Sequence, residues 1–140
     1  MKEKAVQLLK ENGLRKTTVR LNVLLEFLQS KQAYGQGDLE AKWEAIDRIT
    51  LYRTLKTFEQ KGIIHQAVDG SGKIKYALCK GDCSENQHHD HHAHFHCVAC
   101  KKTICLEHIS VPEVTVPANY QLHQSHLVLS GLCEVCRVEH

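Results

Sequence analysis

Two C-x2-C pairs, Cys97/Cys100 and Cys133/Cys136, constrain this chain more than any other feature. A C-x2-C turn offers two sulfurs to one tetrahedral ion, and two such turns complete a closed structural zinc site. The 32 residues between the pairs exceed the usual zinc-ribbon gap. The ion is therefore expected to tie a strand to a distant segment rather than close a small knuckle. The competing chemistry is a thioredoxin-like redox pair. That needs one C-x2-C at a helix start in a βαβ setting, and neither pair shows this context in the sequence. Without metal, thiol repulsion and a thin core should leave this half of the chain loose.

The charge is split. Residues 1–78 carry 14 Lys and Arg against 9 Asp and Glu, and residues 79–140 carry 4 against 7, within a net charge of +2. A basic first half points to a polyanion partner for that half, or to an ordinary solvated surface. No apolar run approaches the roughly 18 residues of a membrane span, and Met1-Lys2-Glu3-Lys4 does not open a signal peptide. A cytoplasmic chain is expected, where reduced thiols serve as metal ligands and a disulfide framework does not form.

Lys4–Asn12 reads as a short helix stopped by Gly13. Thr17 or Thr18 can cap a second helix reaching about Gln29, with Val19, Val23, Leu24, Phe27 and Leu28 on one face. Ala33–Gly37 reads as a loop, and Asp38–Glu44 as a third short helix around Leu39 and Trp43. Asp47 can cap the helix Arg48–Lys61, with Leu51, Leu55 and Phe58 facing inward. Its other face crowds Arg48, Thr50, Tyr52, Arg53, Thr54 and Lys56, residue types that contact phosphates and base edges. Ile63–Val68, the turn Asp69-Gly70-Ser71-Gly72 and Lys73–Leu78 then read as a β-hairpin. Helices followed by a hairpin give the order of a winged helix-turn-helix.

In the second half, Ala93–Cys97 and Lys101–Leu106 read as strands, Ser110–Asn119 as a connection, and Tyr120–Leu132 as a third strand. A lone three-stranded sheet leaves exposed edges, so a second copy of the chain is the expected cover. Histidines crowd the same region. The run His88-His89-Asp90-His91-His92 can be a solvated metal-scavenging loop. An ordered site is the alternative. His92 and His94, two apart on one strand, share a face. Cys79 closes the hairpin strand, His65 opens its partner, and Cys105 ends the following strand, with Glu107 as a carboxylate reserve. Imidazole and thiolate suit zinc, whereas iron(II) asks for more carboxylate and imidazole.

The stretches GLRKTTVR (13–20), ITLYRTLKTFEQKGII (49–64), HHAHFHCVAC (91–100) and GLCEVC (131–136) together resemble the ferric uptake regulator family of metal-responsive repressors. The second is similar to the family's T-V-Y-R-x-L recognition helix, and the third to its H-H-x-H-x-x-C-x-x-C signature. The resemblance covers essentially the whole chain. It implies an α+β architecture: a winged-helix DNA-binding domain (1–78), a hinge with a histidine-rich insert (79–90) and an α/β dimerisation domain (91–140). It implies a homodimer that binds a palindromic double-stranded DNA operator when metal-loaded. The sequence has no H-E-x-x-H and no H-x-E paired with P-C-x-x-C, so no enzymatic activity is expected. Tyr52 and Arg53 match the family's operator-contacting pair, and Arg15 lies in the stretch that meets the DNA backbone or minor groove. Cys97, Cys100, Cys133 and Cys136 match its structural zinc site.

Departures from the iron-type pattern are informative. Ala33 stands where that type carries a histidine, Ala77 a glutamate, Ala93 an aspartate and Cys105 a glutamate. Y-A-L-C (76–79) looks like the Y-V-L-C of zinc uptake regulators, and His65 falls where some of these place a ligand. The resemblance thus favours regulatory Zn2+ held by Cys79, His92 and His94, with His65 or Cys105 as the fourth ligand. Fe2+, Mn2+ or peroxide sensing within the family, and a zinc buffer outside it, are the alternatives.

Overall fold

The computed structural model describes residues 1–30, 32–78 and 92–139, and of His92, Glu107 and Glu139 the backbone only. Cys79, the hinge expected over 79–90 and the histidine run before His92 lie outside the described residues.

Helix α1 (Lys2–Glu11) buries Ala5 and Leu9 and ends at Gly13, whose φ of +67° is open to a residue without a Cβ. Helix α2 (Thr18–Gln29) starts at Thr17, whose hydroxyl accepts from the Arg20 amide at 3.2 Å, a cap worth about 1 kcal/mol. Strand β1 (Gln32–Gly35) leads into α3 (Gln36–Lys42), and α4 (Arg48–Gln60) follows. Asp47 caps α4, accepting from the Thr50 amide at 3.1 Å and its hydroxyl at 2.8 Å. Strands β2 (Ile64–Gln66) and β3 (Lys75–Leu78) form the wing, turned through Gly70 and Gly72, both at φ +82°. The helices close over one core: Leu9, Val23, Leu24, Phe27, Leu39, Leu51, Leu55, Phe58 and Ile64 are all essentially inaccessible. Phe27 meets Tyr34 edge-on, with ring centroids 5.5 Å apart.

Strand β4 (His92–Cys97) pairs antiparallel with β5 (Thr103–Ser110) and parallel with β6 (Val128–Gly131), and α5 (Glu134–Glu139) follows. The six strands form one sheet in the order β2-β3-β1-β5-β4-β6. Among the described residues, no helix is long and apolar enough to cross a membrane.

Four expectations need correction. The stretch expected as a glycine loop holds β1, because Ala33 and Tyr34 are buried and find ladder partners on both sides. The second-half sheet is not lone: β1 joins β5 through Gln32↔Ile104 and Ala33↔Thr103 while joining β3 through Tyr34↔Tyr76. Its edges are therefore β6 and, across the wing, β2. The strand expected from Tyr120 begins only at Val128; Tyr120 and Leu122 alternate with polar residues yet are exposed. Helix α5 was not expected, and it puts Cys133-x2-Cys136 at a helix start after all.

Candidate metal centre and nucleic-acid interface

The parallel β4–β6 register sets Cys97 beside Gly131, and the Val98 amide donates to the Gly131 carbonyl at 2.9 Å. Both C-x2-C turns therefore leave the sheet at the same point. Gly131 packs closely there: a Cβ would lie 3.2 Å from the end of the Phe95 ring, which would have to shift. The Sγ atoms of Cys97, Cys100, Cys133 and Cys136 all lie within 4.8 Å of one another, with Cys100 and Cys133 at 3.9 Å. A tetrahedral zinc with sulfurs at about 2.3 Å needs them about 3.8 Å apart, so the four residues fit that ion.

The amides of Cys100 and Cys133 point at the Cys97 sulfur, at 3.5 and 3.4 Å, and draw its thiol down to about 5. Contact with the Cys133 sulfur, and then burial, pushes the Cys136 thiol up to about 12. Four thiolates this close repel one another, and a divalent cation resolves the conflict. The helix start at Cys133 supplies one part of a redox context. The two further sulfurs do not fit that chemistry, and among the described residues neither pair lies in a βαβ unit.

The expected regulatory residues are gathered in part. His65 on β2 and His94 on β4 are both buried, with ring centroids 6.4 Å apart. His94 lies across the ladder from Cys105, and His65 across from Ala77. Ala33, Ala67 and Ala77 form a small buried cluster with Cys105 packed against it. Among the described residues, no second group of three donors comes together as the cysteines do. The ladder register shifts between His92 and Ala93, so the alternation used to put His92 and His94 on one face is interrupted at that step.

On α4, Thr50, Tyr52 and Arg53 are exposed, as expected for a groove-reading face, and so is Arg15 before α2. Thr54 is not on that face. It is 7 % exposed, and its hydroxyl donates to the Thr50 carbonyl at 2.8 Å, because position 54 falls beside Leu51 and Leu55 on the inner side. Ile49 was missed: it is 61 % exposed and shares a face with Tyr52, Arg53 and Lys56. Its signal was present in the i, i+3, i+4, i+7 spacing.

A winged helix with a basic outer helix face, carried on a sheet that closes a four-thiol centre, defines a DNA-binding protein built on metal. The chain belongs to the ferric uptake regulator family, whose model matches residues 11–130. It is a metal-responsive transcription regulator of that family and not an enzyme. The Ferric uptake regulation protein of Staphylococcus aureus is 29% identical over 95% of this chain and 96% of its own. The Peroxide operon regulator of Bacillus subtilis is 24% identical over 96% and 92%. A zinc uptake regulator solved in complex with zinc and DNA shares the fold, with a TM-score of 0.63 at 21% identity over 99% of this chain and 94% of its own.

Proposed function

We propose that this chain is a zinc-responsive repressor that binds a palindromic operator as a cytoplasmic homodimer. Residues 1–78 act as the DNA-binding unit, 79–90 as the hinge and 91–140 as the dimerisation unit. Tyr52, Arg53 and Thr50 meet base edges and phosphates in the major groove, and Arg15 meets the backbone. Exposed Ile109, Val114, Tyr120 and Leu122 supply apolar surface for the second copy. The four cysteines hold a structural zinc, which stabilises the turns that join β4 to α5.

The names of the relatives and structural neighbours span peroxide, ferric, zinc and manganese regulation, so donor chemistry has to choose the ion. One observation carries the choice of zinc: a buried histidine pair, His65 and His94, whose cross-strand partners are Ala77 and Cys105. Nitrogen and sulfur donors suit zinc, and iron(II) or manganese would ask for carboxylates where Ala33, Ala77 and Ala93 offer methyl groups. Cys79, His92 and His94 hold the regulatory ion, with His65 or Cys105 as the fourth donor. Ligands from the wing and from β4 then fix the angle between the two DNA-binding units. The recognition helices of the dimer sit about 34 Å apart, one helical turn. A coupling of about 3 kcal/mol is enough to switch occupancy.

Operator titrations with zinc, iron(II) and manganese at buffered free concentrations test this. Zinc should drive binding at the lowest concentration, and Cys79→Ser should abolish the response while the dimer keeps its structural zinc. A wild-type response to iron(II) or manganese and not to zinc overturns the choice of ion.

A further inference from the structure

A buried polar cluster joins the two halves of the chain beside the Cys97-x2-Cys100 turn, without using any cysteine or histidine assigned to a metal. Asp69, in the wing turn, and Lys75, on β3, are 3 % and 8 % exposed. The Lys75 ammonium meets Asp69 Oδ2 at 2.8 Å, donates to the Lys101 carbonyl at 3.2 Å and to Thr103 Oγ1 at 3.3 Å. The Thr103 hydroxyl donates to Asp69 Oδ2 at 2.6 Å, and His96 Nδ1 lies 3.1 Å from Thr103 Oγ1 and 3.5 Å from Asp69 Oδ2. Asp69 Oδ1 accepts from the Ser71 amide at 2.8 Å.

Asp69, Ser71 and Lys75 belong to the wing, and the other partners belong to β4, β5 and the turn after Cys100. Between them runs β1, paired with the wing on one side and with β5 on the other. Gly35 is the β1 residue opposite Lys75, and a Cβ there would lie 3.1 Å from the Ile74 carbonyl and 3.8 Å from Lys75 Cγ. The missing side chain leaves room for the Ile74 carbonyl of the wing to lie close to β1. Lys101 adopts φ +66°, the left-handed region, in the turn that closes Cys97-x2-Cys100, so the carbonyl Lys75 uses is fixed by the structural metal turn.

We infer that Lys75 is a positioning residue: with Asp69 it latches the wing to the second half of the chain without any regulatory ion. An ordinary surface ion pair would not do this, since such pairs contribute little. This pair is buried, and both charges also bond to the other half, Lys75 to the Lys101 carbonyl and Thr103, and Asp69 to the Thr103 hydroxyl. The latch therefore supplies a share of closure that needs no regulatory ion, and that ion adds to it rather than creating closure alone. The operator consequence rests on the zinc reading above; the latch itself does not.

The test compares wild type with Lys75→Met and with Asp69→Asn/Lys75→Met, each carrying structural zinc and no regulatory metal, by amide hydrogen exchange. The double variant leaves no buried unpaired charge, so it separates loss of the latch from general destabilisation. In both variants the amides of Ala33 and Thr103, which face each other across the β1–β5 ladder, should exchange about tenfold faster. Those of Val23, Leu24 and Phe27 in α2, and of His94 in β4, which donates to the Leu127 carbonyl, should stay as in wild type. The free zinc needed for half-maximal operator binding should rise several-fold in Lys75→Met. Unchanged exchange at the β1–β5 pairing in the double variant overturns the latch. Equal acceleration in both halves overturns it too, since the cluster is then an ordinary part of the core. Faster β1–β5 exchange without any zinc-dependent operator binding keeps the latch and refutes the zinc reading.

Discussion

The rings of His65 and His94 stand 6.4 Å apart, centroid to centroid, although one residue belongs to the wing and the other to the strand that leads to Cys97. Any ion they help to hold draws these two parts of the chain together. The thiol nearest in register is Cys105, opposite His94. Replacing Cys105 with Asp puts a hard oxygen donor in place of a soft sulfur. Zinc affinity of the regulatory site should fall by about tenfold or more, with manganese or iron(II) gaining relative to zinc. Competition against a fluorescent chelator measures this, and an unchanged zinc affinity would remove Cys105 from the ligand set and leave His65 as fourth donor.

Cys97 is buried at the centre of the four-thiol group, with two amides directed at its sulfur. Cys97→Ser should reduce bound structural zinc to near zero and loosen the β4–β6 ladder and α5, because the metal contributes folding free energy directly. The α1–α4 core is separate from this site and should keep its protection. Zinc stoichiometry and hydrogen exchange on the same sample give both results. A variant that retains one tightly held zinc per chain contradicts the structural assignment.

Ile49 presents an apolar side chain, 61 % exposed, on the same face as Tyr52 and Arg53. In the major groove the matching feature is the thymine methyl group. Uracil substituted for thymine, one operator position at a time, should weaken wild-type binding at one position per half-site. The Ile49→Ala variant should be insensitive to that same replacement. Arg53→Ala should cost about 1–3 kcal/mol on the operator. Thr54→Val should stay within about twofold of wild type, because Thr54 faces the core. Fluorescence anisotropy at fixed salt measures all of these, and no methyl dependence at any position would reject the role given to Ile49.

The elements with strong local signals were legible. Thr17 and Asp47 cap α2 and α4 where their side chains suggested, and Leu51, Leu55 and Phe58 face inward at the expected spacing. The four cysteines were legible from their spacing, and they converge because the parallel β4–β6 pairing brings the two C-x2-C segments to one end of the sheet. What was not legible depends on partners distant in sequence. Nothing local to Gln32–Gly35 announces a strand; β1 exists because β3 and β5 supply ladders on either side. In K-I-K-Y-A-L the lysines alternate with apolar residues, which suggests that Lys75 faces solvent. Only the placement of Asp69 and Thr103 makes its burial tolerable. Thr54 reads as polar and so as outward, yet a threonine can spend its hydroxyl on its own helix and go inside.

Asp69 gives the latch a defined pH dependence. Burial pushes its carboxyl up, but hydrogen bonds from Lys75, Ser71 and Thr103 outweigh this and hold it well below the usual carboxylate range. A group whose folded value is depressed contributes stability above its unfolded value, about 3.9, and loses it as the pH falls through the folded value. The contribution is therefore complete at neutral pH and fades only in strong acid. Removing one partner of a buried pair costs about 3 kcal/mol. Asp69→Asn should accordingly lower the urea midpoint by the same amount at pH 7 and at pH 8. The gap to wild type should begin to narrow only below about pH 4. The comparison between pH 7 and pH 8 is made on protein that carries its structural zinc. A gap that already closes between pH 8 and pH 7 would mean that Asp69 is not held ionised by Lys75 and Thr103.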